Sequence, residues 1–273
     1  VTWRLIKVNN ETNVRSLSMD ANGKIYVGAA GEFGYLEPDE NGNNRYVSLL
    51  SNVEKNDRDF ADVWYTIAAH DGIYYQASNK IFRWDGKKIK VWNAEKSFHK
   101  IFYVNEHLFV RQRELGLMEL TNESIVPLQG GEAFSEEGID GMVSFGVTSA
   151  GKPSSDILVC TRKKGLYVMK PSSAKIIGQG GPAYTFESFK TQIDPFLHQN
   201  VSYNLLKTNS LYSIATVTKG IVVIDSDGNL STFLNKEIGL QDETVYSQFS
   251  DAAGNLWMAT SNGLSKLSIN SPV

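Results

Sequence analysis

"DAAGNLWMATSNGLSKL", residues 251–267, and "DANGKIYVGAAGEFGYL", residues 20–36, follow one pattern. Each opens on Asp and reaches Gly three residues later. An apolar run with an aromatic follows, then small residues, then a second apolar run. Asp-x-x-Gly between two β-rich runs is turn chemistry: the carboxylate accepts backbone N–H groups, and Gly23 or Gly254 takes the positive φ. The flanking runs read as strands, with Tyr26 and Trp257 placed to anchor the second strand between neighbouring sheets.

The same hairpin can be found six times, in residues 24–38, 72–86, 107–121, 156–170, 211–225 and 255–269. Aligned on Gly34, Lys80, Gly116, Gly165, Gly220 and Gly263, the steps are 46, 36, 49, 55 and 43 residues, the spacing of four-stranded propeller blades. An apolar run precedes each hairpin, and another follows the first five. The sixth lacks a following strand, whereas "TWRLIKV", residues 2–8, is unclaimed at the other end. The expectation is an all-β chain, a β-propeller of six four-stranded blades with the last closed by residues 2–8 beside 244–269. The first five blades fall near 14–50, 62–93, 98–129, 141–190 and 200–235, and 1–273 form one domain. Part of a seven-bladed ring is the alternative. A blade cannot bury both faces alone, which is why the pattern repeats.

Two stretches carry a family resemblance. Residues 251–267 resemble the bacterial two-component regulator propeller repeat through Asp251, Gly254, Asn255, Leu256, Trp257, Thr260, Gly263 and Leu264, with Met258 and Ala259 departing from it. Residues 14–36 resemble the N-terminal sensor region of such regulators, including Gly-Glu-Phe-Gly-Tyr at 31–35. The resemblance implies a periplasmic or extracellular ligand-binding sensor in a membrane-anchored regulator, with further domains of the same polypeptide as partners.

Bulk properties fit. The chain has 273 residues, 41% of them hydrophobic, and a net charge of -3. That balance argues against a nucleic-acid partner. No apolar run approaches a membrane span, and no secretory leader is visible, which leaves a cytoplasmic chain, a mature one or a piece of a longer one. The single cysteine, Cys160, reads as a buried strand residue, and four scattered histidines give no metal-ligand spacing. No cofactor, metal or catalytic set is expected. "GQGGP", residues 178–182, reads as a flexible connection rather than a phosphate cradle.

Two rival classes remain. A sialidase-type Asp-box fails on spacing, because Ser250 and Asp251 are adjacent and Gly254 lies three residues on. The carboxylates Glu32, Glu114, Asp140 and Asp194 read as solvated turn residues rather than the pair a glycosidase needs. A WD40-like interaction scaffold is suggested only by "RWDG", residues 83–86, which does not recur.

In a four-stranded meander the second-to-third turns and the blade-to-blade connections emerge on one side. The connections at 51–61, 93–97, 130–140, 191–199 and 237–242 are long and irregular, and such loops carry binding. The turns beside them offer Glu32, Phe33, Asn79, Arg113, Glu114, Arg162, Lys163, Lys219 and Asn262 as ligand-binding residues. Phe33 is the aromatic placed to stack on a sugar, and the basic residues Arg111, Arg113, Arg162, Lys163 and Lys164 read either as solvated loop charge or as a cationic rim. A small polar ligand of carbohydrate type is the expected partner, and a second copy of the chain is a further one.

Overall fold

The computed structural model describes residues 4–147, 154–172 and 183–268. Its hairpins follow from the turn chemistry. Asp251 Oδ1 accepts the amides of Ala253 at 3.0 Å and Asn255 at 2.9 Å, and Oδ2 accepts the indole N–H of Trp257 at 2.9 Å. Gly254 sits at φ 79°. Asp20 binds the amides of Asn22 and Lys24 in the same way, at 2.9 Å each. The device also recurs at third-to-fourth turns, where Asp39 holds Asn41 and Asn43, and Asp225 holds Asp227 and Asn229.

The Trp257 and Asn255 hydrogen bonds hold the Asp251 carboxyl down at about 2, below its ordinary 3.8. A folded-state value below the unfolded one stabilises above the unfolded value, and that stability is lost as pH falls from about 4 through about 2. Asp251→Asn is therefore expected to melt lower than the parent protein at neutral pH. The gap should close as melting temperatures are followed down to pH 2; a gap constant with pH would contradict the assignment.

The chain is all-β, a β-propeller fold of six antiparallel blades. Blade 1 comprises β1 (Val14–Met19), β2 (Ile25–Ala29), β3 (Glu32–Pro38) and β4 (Asn44–Ser48). Blade 2 has β5 (Tyr65–Ala69), β6 (Gly72–Gln76), β7 (Lys80–Trp84) and β8 (Ile89–Asn93); blade 3 has β9 (Phe98–Val104), β10 (His107–Gln112), β11 (Gly116–Leu120) and β12 (Ile125–Pro127). Blade 4 has β13 (Ile139–Ser144), β14 (Ile157–Thr161), β15 (Leu166–Pro171) and β16 (Tyr184–Phe189); blade 5 has β17 (Ser202–Thr208), β18 (Leu211–Thr216), β19 (Ile221–Ile224) and β20 (Leu230–Leu234). Blade 6, as described, has β21 (Val245–Ser250), β22 (Asn255–Thr260) and β23 (Gly263–Ser268). Neighbours in sequence are neighbours in each sheet. The expected closing strand falls partly on Thr2, Trp3 and Ile269, which lie outside the described residues. Residues 4–8 carry no strand conformation, and Val8 packs on Val27 and Ala29. The "GQGGP" stretch also lies outside them.

The chain divides into two compact units, Val1–Val126 and Pro127–Val273. Within each, the core is a set of apolar layers between successive blades. Ile73 and Tyr75 of β6 pack with Phe33 of blade 1, while Tyr74 between them packs the opposite way, with Val110 and Met118 of blade 3. Burial on both faces explains why middle strands read as continuous apolar runs rather than alternations. In the second unit, Cys160 and Leu166 of blade 4 meet Ile214 and Val222 of blade 5, and Ala215 and Val223 meet Leu256 and Met258 of blade 6. Cys160 is fully buried, as the strand reading required. Tyr26 is buried in the blade 1–2 layer, but Trp257 is not: it is 37% exposed, with Lys266 over its ring. Its indole N–H is turned to the Asp251 turn instead.

Candidate functional site

In three blades the second strand ends on Thr, and the hydroxyl builds the turn. Thr161, Thr216 and Thr260 donate through Oγ1 to the carbonyls of Gly165, Gly220 and Gly263 at 2.8, 2.9 and 3.0 Å. The same hydroxyls accept the amides of Lys164, Lys219 and Asn262. The Thr-x-x-Gly and Thr-x-x-x-Gly stretches are thus second turn signals beside Asp-x-x-Gly.

Backbone bonds stitch these turns to the blade-to-blade connections, the side-by-side emergence expected of the meander. In the first unit, Gly31 N donates to Ala61 O at 2.9 Å, and Asn79 Nδ2 to Asp59 O at 2.9 Å. Phe98 N donates to Ser78 O, and Arg113 N to Ser97 O, both at 2.8 Å. In the second unit, Ser202 N donates to Arg162 O, Val217 N to Val201 O, Gly220 N to Glu243 O and Ser261 N to Thr244 O, all between 2.9 and 3.1 Å. The connections after blades 1, 2, 4 and 5 are each tied to the turn of the blade before and of the blade after, and the connection before blade 4 is tied to that blade's turn through Arg162 N on Gly138 O at 2.8 Å. The connection before blade 5 also carries α1 (Asp194–Gln199), the α-helix of the described residues, which the sequence reading took as irregular; Pro195 in its first turn was the available signal.

The turn candidates fare differently. Asn79, Arg113, Glu114, Lys163, Lys219 and Asn262 are exposed at turn tips. The side chains of Asn79 and Glu114 engage different connections: Asn79 binds Asp59, and Glu114 lies 3.4 Å from Lys96. Lys163, Lys164 and Lys219 make no ion pair among the described residues. Arg162 is half-buried and forks onto Asp140, Nε to Oδ2 at 3.0 Å and Nη2 to Oδ1 at 2.9 Å.

Glu32 and Phe33 require correction. The blade 1 turn is Ala30–Gly31, so both residues belong to β3. Glu32 is 2% exposed, and its Oε1 accepts Phe33 N at 3.0 Å and Ser48 Oγ at 2.7 Å. Burial, with this carboxylate alongside, pushes the Tyr46 hydroxyl up. Phe33 is fully buried, its ring 4.5 Å from Tyr75 and 4.9 Å from Phe82 between centroids. It cannot stack on a ligand in this structure. Asp140, 2% exposed, is likewise no solvated turn carboxylate, and Arg111, 4% exposed, is no loop charge. Sequence reading also missed Lys80, buried behind the blade 2 turn with Nζ on Asp57 at 2.8 Å and Asn93 at 2.7 Å. A lysine where the other hairpins carry glycine was the signal.

Among the described residues, no group of three His, Cys, Asp or Glu is placed to hold a metal ion. Among the described residues no helix is long and apolar enough to cross a membrane.

No protein family and no curated protein sequence matches the chain. Solved structures do, at the level of fold. The extracellular domain of the hybrid two-component system BT4673 from B. thetaiotaomicron superposes with TM-score 0.66 and 16% identity, covering 97% of this chain and 34% of that one. The extracellular domain of a second such system, BT3049, gives 0.54 and 14%, over 96% of this chain and 40% of that one. Virginiamycin B lyase from Staphylococcus aureus gives 0.60 and 14%, over 97% and 87%. The chain therefore spans a little over a third of the regulator domains it is similar to. The fold it shares with them is the one the repeat resemblance implied.

Proposed function

We propose that this chain is a non-catalytic sensor module of a bacterial signal-transduction regulator, held outside the cytoplasm of a membrane-anchored protein and binding a small polar ligand of oligosaccharide type. The observation that carries the reading is the likeness to extracellular regulator domains over 97% of the chain, at a third of their length, together with the repeat motif of residues 251–267. The turns stitched to the connections are the binding surface of choice. They present amide and cationic side chains, at Asn79 and Arg113 in the first unit and at Lys163, Lys219 and Asn262 in the second, on backbone tied to neighbouring connections. Glu32 and Phe33 support that surface from beneath.

The lyase likeness supplies a second reading, catalysis on the same fold. Against it stand the carboxylates: Glu32 and Asp140 are buried and hydrogen-bonded to their own chain rather than paired across a cleft. Turnover of virginiamycin B or of model glycosides by the pure protein would favour the second reading.

A thermal-shift screen against an oligosaccharide library tests the first. One or more saccharides should raise the melting temperature, and Arg113→Ala or Lys219→Ala should reduce that rise without lowering the ligand-free melting temperature. A library without a stabilising saccharide, or a rise indifferent to both variants, overturns the placement.

A further inference from the structure

With Phe33 buried, an exposed aromatic still stands on the turn side of blades 1 and 2: Trp64, 46% exposed, just before β5. Its amide donates to Gln76 O, at the turn end of β6, at 2.9 Å. Asp62, two residues earlier, bridges to Ala30 in the blade 1 turn. The backbone beneath both side chains is therefore held by the two blades.

A β-bulge brings a cation to this ring. Val14 pairs with Ala29 and Ser16 with Gly28, which makes Arg15 the extra residue of β1. In a regular strand Arg15 and Ser16 would point to opposite faces. Here both reach the connection that leads into blade 2. Ser16 Oγ donates to Val63 O at 2.9 Å, and Arg15 Nε donates to Asp62 Oδ1 at 2.6 Å. The Arg15 guanidinium lies 5.0 Å from the Trp64 ring centroid. The bulge recurs in other first strands, at His99, Asp140, Tyr203 and Tyr246. The backbone feature thus belongs to the blade, whereas the side chain it aims varies from blade to blade.

The accessible groups match a sugar. Neither Nη atom of Arg15, nor Asp62 Oδ2, makes a hydrogen bond among the described residues. The two side chains are 35% and 23% exposed, so a bound molecule can reach them. Forked donors beside an acceptor fit two neighbouring hydroxyls, each of which donates and accepts. The exposed part of the indole fits the apolar C–H face of a pyranose. Charge narrows the class further. Arg15 and Asp62 cancel, which removes the attraction that an uncompensated arginine would exert on an anion.

We propose that Trp64, Arg15 and Asp62 bind one neutral pyranose unit, stacked on Trp64 with two adjacent hydroxyls on Arg15 Nη and Asp62 Oδ2. This deepens the sensor reading above and rests on it, and it supplies the stacking aromatic that Phe33 does not.

Titration calorimetry with the full chain tests it, using glucose, galactose, mannose, xylose and arabinose as neutral probes, and glucuronate and galacturonate as charged ones. At least one neutral sugar should bind. Trp64→Ala should weaken it about tenfold, and Trp64→Phe, which keeps a ring, less than threefold. Should Trp64→Ala not fold, Arg15→Gln carries the same test, with a loss of about tenfold for the missing fork. The uronates should bind no more tightly than glucose and galactose, and Asp62→Asn, which uncovers the Arg15 charge, should shift preference toward them. Silence from all five neutral sugars overturns the placement, as does a uronate bound more tightly than its parent hexose, or an affinity unchanged in Trp64→Ala. A saccharide that binds but ignores Trp64→Ala removes this placement alone and leaves the sensor reading standing. The sensor reading falls with it only if the oligosaccharide library is silent as well.

Discussion

Phe33→Ala should lower the unfolding free energy by about 3–5 kcal/mol, the cost of a large ring removed from a packed interior. For a chain of this size that is a fall of roughly 6–20 °C in melting temperature. The ring is fully buried and meets Phe60, Tyr75 and Phe82 with centroids 5.7, 4.5 and 4.9 Å away. Tyr75 adds a hydrogen bond from its hydroxyl to Gly34 O at 2.8 Å, so a cavity at Phe33 also loosens the tie between blades 1 and 2. These rings belong to β3, β6, β7 and the connection after blade 1. The space cannot be closed without moving several strands. Arg113→Ala, at an exposed turn tip, should stay within about 0.5 kcal/mol of the parent. The comparison separates support from surface: a melting temperature in Phe33→Ala within about 2 °C of the parent would return the ring to the list of available ligand contacts.

Phe33 also shows where reading the sequence reaches its limit. The blade count was legible because it rests on local chemistry. Asp20 and Asp251 close their turns with their own carboxylates, whatever lies around them, and the Thr hydroxyls of blades 4 to 6 do the same. Exposure is not local. The stretch Gly-Glu-Phe-Gly offers two glycines, and taking Gly34 as the turn put Glu32 and Phe33 at a hairpin tip. The turn uses Gly31, at φ 65°, and Gly34 is needed for another reason. A Cβ there would lie 2.0 Å from Val47 O and 2.8 Å from the Tyr46 hydroxyl. Two glycines three residues apart answer two demands, and only one of them is a turn. Trp257 erred in the opposite direction. Its alternation matched that of Tyr26, yet it stays partly in solvent, because its hydrogen bond to Asp251 needs no neighbouring blade. The ionic pairs behind the turns, Lys80 with Asp57 and Arg162 with Asp140, were illegible for the same reason. Each joins residues 22 or 23 positions apart, and nothing in the local pattern links them.

Gly141→Ala should be among the most damaging single-methyl additions in the molecule. Gly141 lies in β13, the first strand of blade 4, beside β17 of blade 5. A Cβ at this position would stand 2.1 Å from Leu205 Cβ, 2.9 Å from Leu205 N and 3.1 Å from Leu205 Cα. A flexible side chain could rotate out of the way, but backbone atoms and a Cβ cannot. The two blades must separate or shear. Overpacking of this kind costs about 1–3 kcal/mol, occasionally more, and the rigid obstacle argues for the upper end. The same geometry predicts an unusual rescue pattern. Leu205→Ala keeps the clashing Cβ, so combined with Gly141→Ala its effect should be nearly additive. Leu205→Gly removes that atom. Although costly alone, through the lost side chain and the added backbone freedom, it should couple favourably with Gly141→Ala by about 1–3 kcal/mol in a double-mutant cycle. Denaturant unfolding of the parent and the five variants measures both cycles. Equal coupling in the two cycles would mean that the Leu205 side chain, and not its Cβ, sets the spacing between blades 4 and 5.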